Sequence, residues 1–103
     1  MDVYIDKSVH SKITDFYEAA MKNHITLDET TINRKICRIY EALEALGNYA
    51  YIYSLARLNQ DWIDKEYREY IFEDIHFAYQ IYERYDGTKI VRIHDVCHSL
   101  LYK

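Results

Sequence analysis

The chain changes its hydrophobic period near its middle, and that change limits the folds open to it. Ile32, Ile36, Ile39, Leu43 and Leu46 step by four, three, four and three, the spacing of one buried stripe on an α-helix, and Gly47-Asn48 follows as a C-terminal stop. Val9, Ile13, Phe16, Tyr17, Ala20 and Met21 recur at the same spacings, which predicts an earlier helix capped by Ser8 or Ser11 and ending near His24. Between them Thr26 to Thr31 is a turn rich in capping residues, so the two helices are expected to form an antiparallel hairpin. Beyond residue 65 the period becomes two. Residues 66–73 and 75–84 read as strands, the second with Ile75, Phe77, Tyr79 and Ile81 on one face and His76, Ala78, Gln80 and Tyr82 on the other.

Tyr85-Asp86-Gly87-Thr88 is predicted to be an Asp-Gly hairpin turn with a two-residue loop, and Lys89–His98 its partner strand with Val91 and Ile93 toward the core. At the other end Asp2 to Asp6 alternate as a short strand with Val3 and Ile5 on one face. Tyr49 to Asp64 mixes strand-like tyrosines (Tyr49, Tyr51, Tyr53) with helix-like Leu55, Leu58 and Trp62, and reads as irregular. Helices bunched before strands, rather than alternating with them, indicate α+β. The expected architecture is an N-terminal short strand and helical hairpin packed on an antiparallel sheet with a C-terminal three-stranded meander, all in a single domain of 103 residues.

A formal charge of −4 argues against a protein whose main task is to neutralise phosphates over a broad basic face. Only Arg34, Lys35 and Arg38 form a tight basic cluster. Two cysteines without a CxxC spacing, and an N-terminus too polar for a secretory signal, predict a reduced cytoplasmic protein. No apolar run nears the ~20 residues of a membrane-spanning helix, so no membrane partner is expected. Twelve tyrosines against three phenylalanines make the apolar surface amphipathic, suited equally to a strand-rich sheet and to a partner-binding face.

The C-terminal run KIVRIHDVCHSLLYK places two histidines four residues apart. On a strand that spacing is about 13 Å, too far for two ligands of one metal ion, and Asp95 and Cys97 are expected on the face opposite the histidines. Neither a metal nor another cofactor is expected. His94 reads as a hydrogen-bonded or solvated strand residue rather than a catalyst, and Cys37 and Cys97 as small, packed, inert thiols.

Tyr79-Gln-Ile-Tyr82, the strand Lys89-Ile-Val-Arg-Ile-His-Asp-Val-Cys-His98 and Tyr67-Arg68-Glu69, set in this element order, resemble the RelE/ParE superfamily, the toxins of bacterial type II toxin-antitoxin (plasmid stabilization) systems. The resemblance runs over nearly the whole chain in element order, through short motifs. It implies a growth-inhibiting protein neutralised by a cognate antitoxin, with the ribosome and its mRNA, or DNA gyrase, as target; a homodimer stays open.

Arg68 matches an arginine on the first meander strand, His98 the histidine after the last-strand valine, and Tyr102 a tyrosine near the C-terminus of the nuclease members. Tyr79 stands where an arginine often occurs, and Ser99-Leu100 where a basic pair does. Ribosome-dependent RNA cleavage needs a base, an acid and cations for the phosphate, roles open to Arg68, Glu69, Arg92, His98 and Tyr102 if the sheet brings them together. The alternative for Arg68, Glu69 and Arg92 is ordinary cross-strand pairing on a solvent face. The alternative for the whole chain is an inactive toxin fold serving as a binding or regulatory module.

Overall fold

The computed structural model describes residues 1–23 and 28–99, leaving aside the side chains of Ala20, Met21 and Asn23. Strand β1 (Asp2–Ile5) leads into helix α1 (Lys7–Asn23), helix α2 (Glu29–Leu46), a short helix α3 (Gln60–Asp64), and strands β2 (Arg68–Phe72), β3 (Ile75–Glu83) and β4 (Lys89–His98). The sheet runs β1-β4-β3-β2. The meander is antiparallel, as expected, but β1 lies parallel to β4 with Val3 opposite Val91, so the sheet as a whole is mixed. A parallel neighbour requires a crossover, and the helical hairpin supplies it.

Both helical stripes face the same side of the sheet. Val9 and Ile13 of α1 and Ile39, Leu43 and Leu46 of α2 form one core with Ile75, Phe77, Tyr79, Val91, Ile93 and Val96. Burying each such side chain is worth about 1.5–3 kcal/mol, which is what holds hairpin to sheet. Tyr79 is wholly buried and satisfies its hydroxyl by donating to the Ala50 carbonyl at 2.7 Å.

Helix α1 begins at Lys7, with the Asp6 carbonyl accepting from the Val9 amide at 3.0 Å, so Ser8 and Ser11 sit inside the helix and do not cap it. The Asp6 amide still donates to Ile93 of β4, so the chain turns from strand to helix within one residue. The expected end at His24 lies outside the described residues. Asp28 caps α2, its carboxylate accepting from the Thr31 amide at 2.7 Å. The turn after β3 is wider than the expected two-residue loop. Arg84 and Thr88 are still paired, and Gly87 alone has positive φ, at 87°, the form of a three-residue loop.

The stretch read as irregular contains α3, capped by the Asn59 side chain, and a segment at Ser54–Ala56 that runs antiparallel outside β2. Cys37 is exposed rather than packed, because it falls one step off the α2 stripe.

Candidate functional site

The second face of the sheet, away from the helical hairpin, carries the polar chemistry. Its middle is closed by Trp62 of α3, wholly buried with Ala56 and Ala78 and packed against Ile63, Tyr67 and Cys97. The indole Nε1–H donates to the Asp95 carboxylate at 2.9 Å, and Lys12 reaches the same carboxylate from α1 at 2.6 Å. Burial alone would raise the Asp95 carboxyl; the bonds from Lys12, Trp62 and the Val96 amide outweigh it and hold the group below the usual carboxylate range. This plug divides the face into two polar ends.

One end is built on β2, β3 and the turn after β4. His76 Nδ1 lies 2.9 Å from Glu69 Oε2, and His76 Nε2 lies 3.0 Å from Ser99 Oγ. Ser99 donates its hydroxyl proton to the Asp74 carbonyl at 2.9 Å, while its amide bonds the same carbonyl at 2.7 Å. With its one proton spent there, Ser99 offers His76 a lone pair, so the serine positions the imidazole and is not set up as a nucleophile. Both His76 and Glu69 side chains are 13% exposed, sheltered enough to strengthen the pair and open enough to exchange protons. Cys97 lies opposite His76 on β4, and burial pushes its thiol up, which makes it unreactive.

The other end is built on a β-bulge. Ala78 faces Asp95 while Tyr79 faces Ile93, so His94 is the extra residue of β4. Its ring stacks on Tyr67 at 4.7 Å, with Nε2 2.8 Å from the Tyr82 hydroxyl and Nδ1 3.5 Å from Asp6. Gln80 donates to the Lys65 carbonyl at 3.0 Å, which turns its amide oxygen toward the Tyr82 hydroxyl. Tyr82 therefore donates to Gln80 and accepts from His94. Burial pushes the His94 pKa down; Asp6 opposes that, and Arg92 and Lys65 add to the fall.

The bulge also reverses one expectation about the tail. It shifts the alternation, so His94, Asp95 and Cys97 share the second face, whereas His98 is opposite Ile75 and meets Phe16 edge-on on the hairpin side. The two histidines thus lie on opposite faces. Among the described residues no three His, Cys, Asp or Glu side chains converge as a metal ion would need.

The expected cleavage set divides in the same way. Arg68 and His98 are on the hairpin side, opposite Tyr79 and Ile75 of β3, which sets them about 13 Å apart along the sheet. Arg68 donates to the Tyr53 carbonyl and lies 6.0 Å from the Tyr51 ring. Glu69 and Arg92 are on the second face but two strands apart, with Arg92 donating to Asp6 at 2.8 Å. Glu69 and Arg92 instead make ordinary pairs with neighbours across the sheet, His76 and Asp6, while Arg68 is held by the Tyr53 carbonyl. Tyr102 lies outside the described residues.

Sequence reasoning missed His76, Ser99, Asp6, Tyr67 and Tyr82. A signal existed for His76: a tight turn at Glu73-Asp74 puts Glu69 beside Ala78, one step along the same face from His76.

Compared with known proteins, the chain matches no family model, and no curated protein or solved structure is similar enough to count as a relative.

Proposed function

We propose that the chain is the toxin component of a bacterial two-protein toxin-antitoxin pair, with a RelE/ParE-like scaffold, neutralised by a cognate antitoxin and acting through protein contact. The supporting observation is the arrangement of the elements: a short strand, a helical hairpin and a three-stranded meander, closed by β1 lying alongside β4. That is the element order on which the sequence resemblance rests. Contact is the favoured mode because the cleavage-type residues Arg68, Glu69, Arg92 and His98 are spread over both faces and held by structural partners. The surface also offers large apolar side chains for contact, with Ile52 73%, Leu58 70% and Ile71 54% exposed.

One observation favours a second reading, ribosome-dependent RNA cleavage. The Glu69–His76 pair is a largely sheltered carboxylate–imidazole couple, braced by Ser99, of the kind that can move a proton. Inducing the intact chain in a bacterium while following amino-acid incorporation, mRNA ends and DNA-damage signalling separates the readings. Contact with gyrase gives DNA damage with intact mRNA. Cleavage gives new mRNA ends that disappear in Glu69→Gln and His76→Gln variants that remain folded by circular dichroism. Neither signal, at confirmed expression, leaves only an inactive binding module.

A further inference from the structure

The sheet has a missing half-strand. Strand β2 begins at Arg68, opposite Tyr79, but β3 continues four residues further, to Glu83. Upstream of Arg68 the chain leaves the sheet: Glu66 adopts a left-handed φ of 58° and the Tyr67 amide turns back to the Trp62 carbonyl at 3.0 Å. The backbone direction along the vacated edge follows from the neighbouring hydrogen bonds. The Ala56 amide donates to Tyr67 at 2.9 Å and the Glu69 amide donates to Ser54 at 3.1 Å, so Tyr67 and Glu69 point outward from β2 and Arg68 points toward β3. Its partner Tyr79 therefore points toward β2, and because the bulge is in β4, β3 keeps its alternation. Ile81 and Glu83 must then direct their N–H and C=O groups into the place a longer β2 would fill, where the β2 ladder gives them no partner.

That place is a slot of about 570 Å³ whose lining includes Tyr51, Glu66, Arg68, Ile81, Glu83 and Lys89. On the hairpin side, Arg68 and Lys89 lie over the exposed Tyr51 ring at 6.0 and 5.7 Å from its centroid. Arg68 spends a donor on the Tyr53 carbonyl and keeps others for a ligand, since a guanidinium carries five N–H groups. Glu83, opposite Lys89 on the neighbouring strand, and Glu66 at the mouth bring the slot near neutrality, so the cationic character is local to the Arg68 end.

A strand laid in register as a continuation of β2 places its residue opposite Ile81 two positions from Arg68, with its side chain on the same face. We infer that this slot takes an extended segment of a partner protein, which pairs main chain to main chain with Ile81 and Glu83 and sets a carboxylate side chain opposite Ile81, between Arg68 and Lys89. Addition of a strand to an open sheet edge draws its affinity from backbone bonds and its selectivity from alternate side chains. The inference does not rest on the toxin reading; it follows from the ladder and its charges.

The test uses the full chain and a display library of random linear decapeptides, with the selected peptides mapped by amide NMR. Enriched peptides are expected to share an acidic residue at one fixed position among β-branched neighbours. The Ile81 and Glu83 amides should shift, and their hydrogen exchange should slow by about tenfold or more on binding. Replacing the acidic residue by lysine, or making Lys89→Glu in the protein, should weaken binding by about tenfold. N-methylation of a peptide amide that faces β3 should abolish binding with the protein unaltered, which keeps the test decisive should Lys89→Glu disturb the fold. An absence of enrichment, peptides that map elsewhere, or indifference to N-methylation overturns the inference. So does protection of the Ile81 and Glu83 amides that rises with protein concentration alone, which assigns the slot to a second copy of the chain.

Discussion

Trp62 is the side chain on which the second face depends, and Trp62→Phe isolates what it contributes. The indole is 0% exposed, and its N–H meets an Asp95 carboxylate whose side chain is 28% exposed. Loss of a hydrogen bond to a charged group costs about 1.5–3 kcal/mol, and the partial exposure of Asp95 sets the expectation at the lower end. The smaller ring leaves a void against Ala78 and Ala56, worth about 1–2 kcal/mol more if the site does not collapse. The sum is about 2.5–3.5 kcal/mol, a fall of roughly 10–25 °C in Tm for a domain of this size. Urea unfolding followed by far-ultraviolet circular dichroism measures it, since the substitution removes the chain's only tryptophan. A cycle with Asp95→Ala should return a coupling of about 1–1.5 kcal/mol. A Trp62→Phe loss below about 0.5 kcal/mol, or no coupling, would refute the view that the indole–carboxylate contact fastens α3 to the sheet.

Three further outcomes follow from buried or crowded groups. Burial lowers the His94 pKa below its ordinary 6.5, so the folded state binds fewer protons there than the unfolded one, and stability should fall as the pH drops below 6.5. Urea unfolding at neutral and acid pH checks this, and His94→Gln should flatten the acid slope. Burial pushes Tyr79 up to about 12 from 10.0, so its contribution is present below pH 10 and is lost as the pH rises through 12. Tyr79→Phe, at a cost of about 1 kcal/mol for the bond to Ala50, should show a shallower alkaline decline in the same assay. Gly47→Ala would bring a Cβ to 2.2 Å from the Met1 carbonyl oxygen, so β1 must move, and a loss of about 1–3 kcal/mol is expected in thermal unfolding.

The meander, the helical hairpin and the core stripes were legible in the sequence because periods of 3.6 and 2 report which face is buried, and Val9, Ile13, Ile39, Leu43, Val91 and Ile93 are buried as those periods require. What was not legible came from single-residue events. The bulge at His94 inserts one residue and reverses the faces assigned to Asp95 and Cys97, and nothing in an alternating pattern announces it. The α3 plug was hidden because a five-residue helix is too short to display a period. The Glu69–His76 pair follows from the register of a tight hairpin, but it is a diagonal contact, and an alternating pattern fixes faces without fixing register. The Asp6–His94 contact joins residues 88 positions apart through a parallel strand pairing that no local pattern encodes.

The most direct measurement of the functional account is growth of a bacterial culture after induction of the intact chain, compared with the same gene carrying an early stop codon. The account predicts arrest with the intact chain alone, relieved by co-expression of a cognate antitoxin, to be sought among the reading frames flanking the gene. Growth indistinguishable from the stop-codon control, at confirmed expression of folded protein, would contradict it.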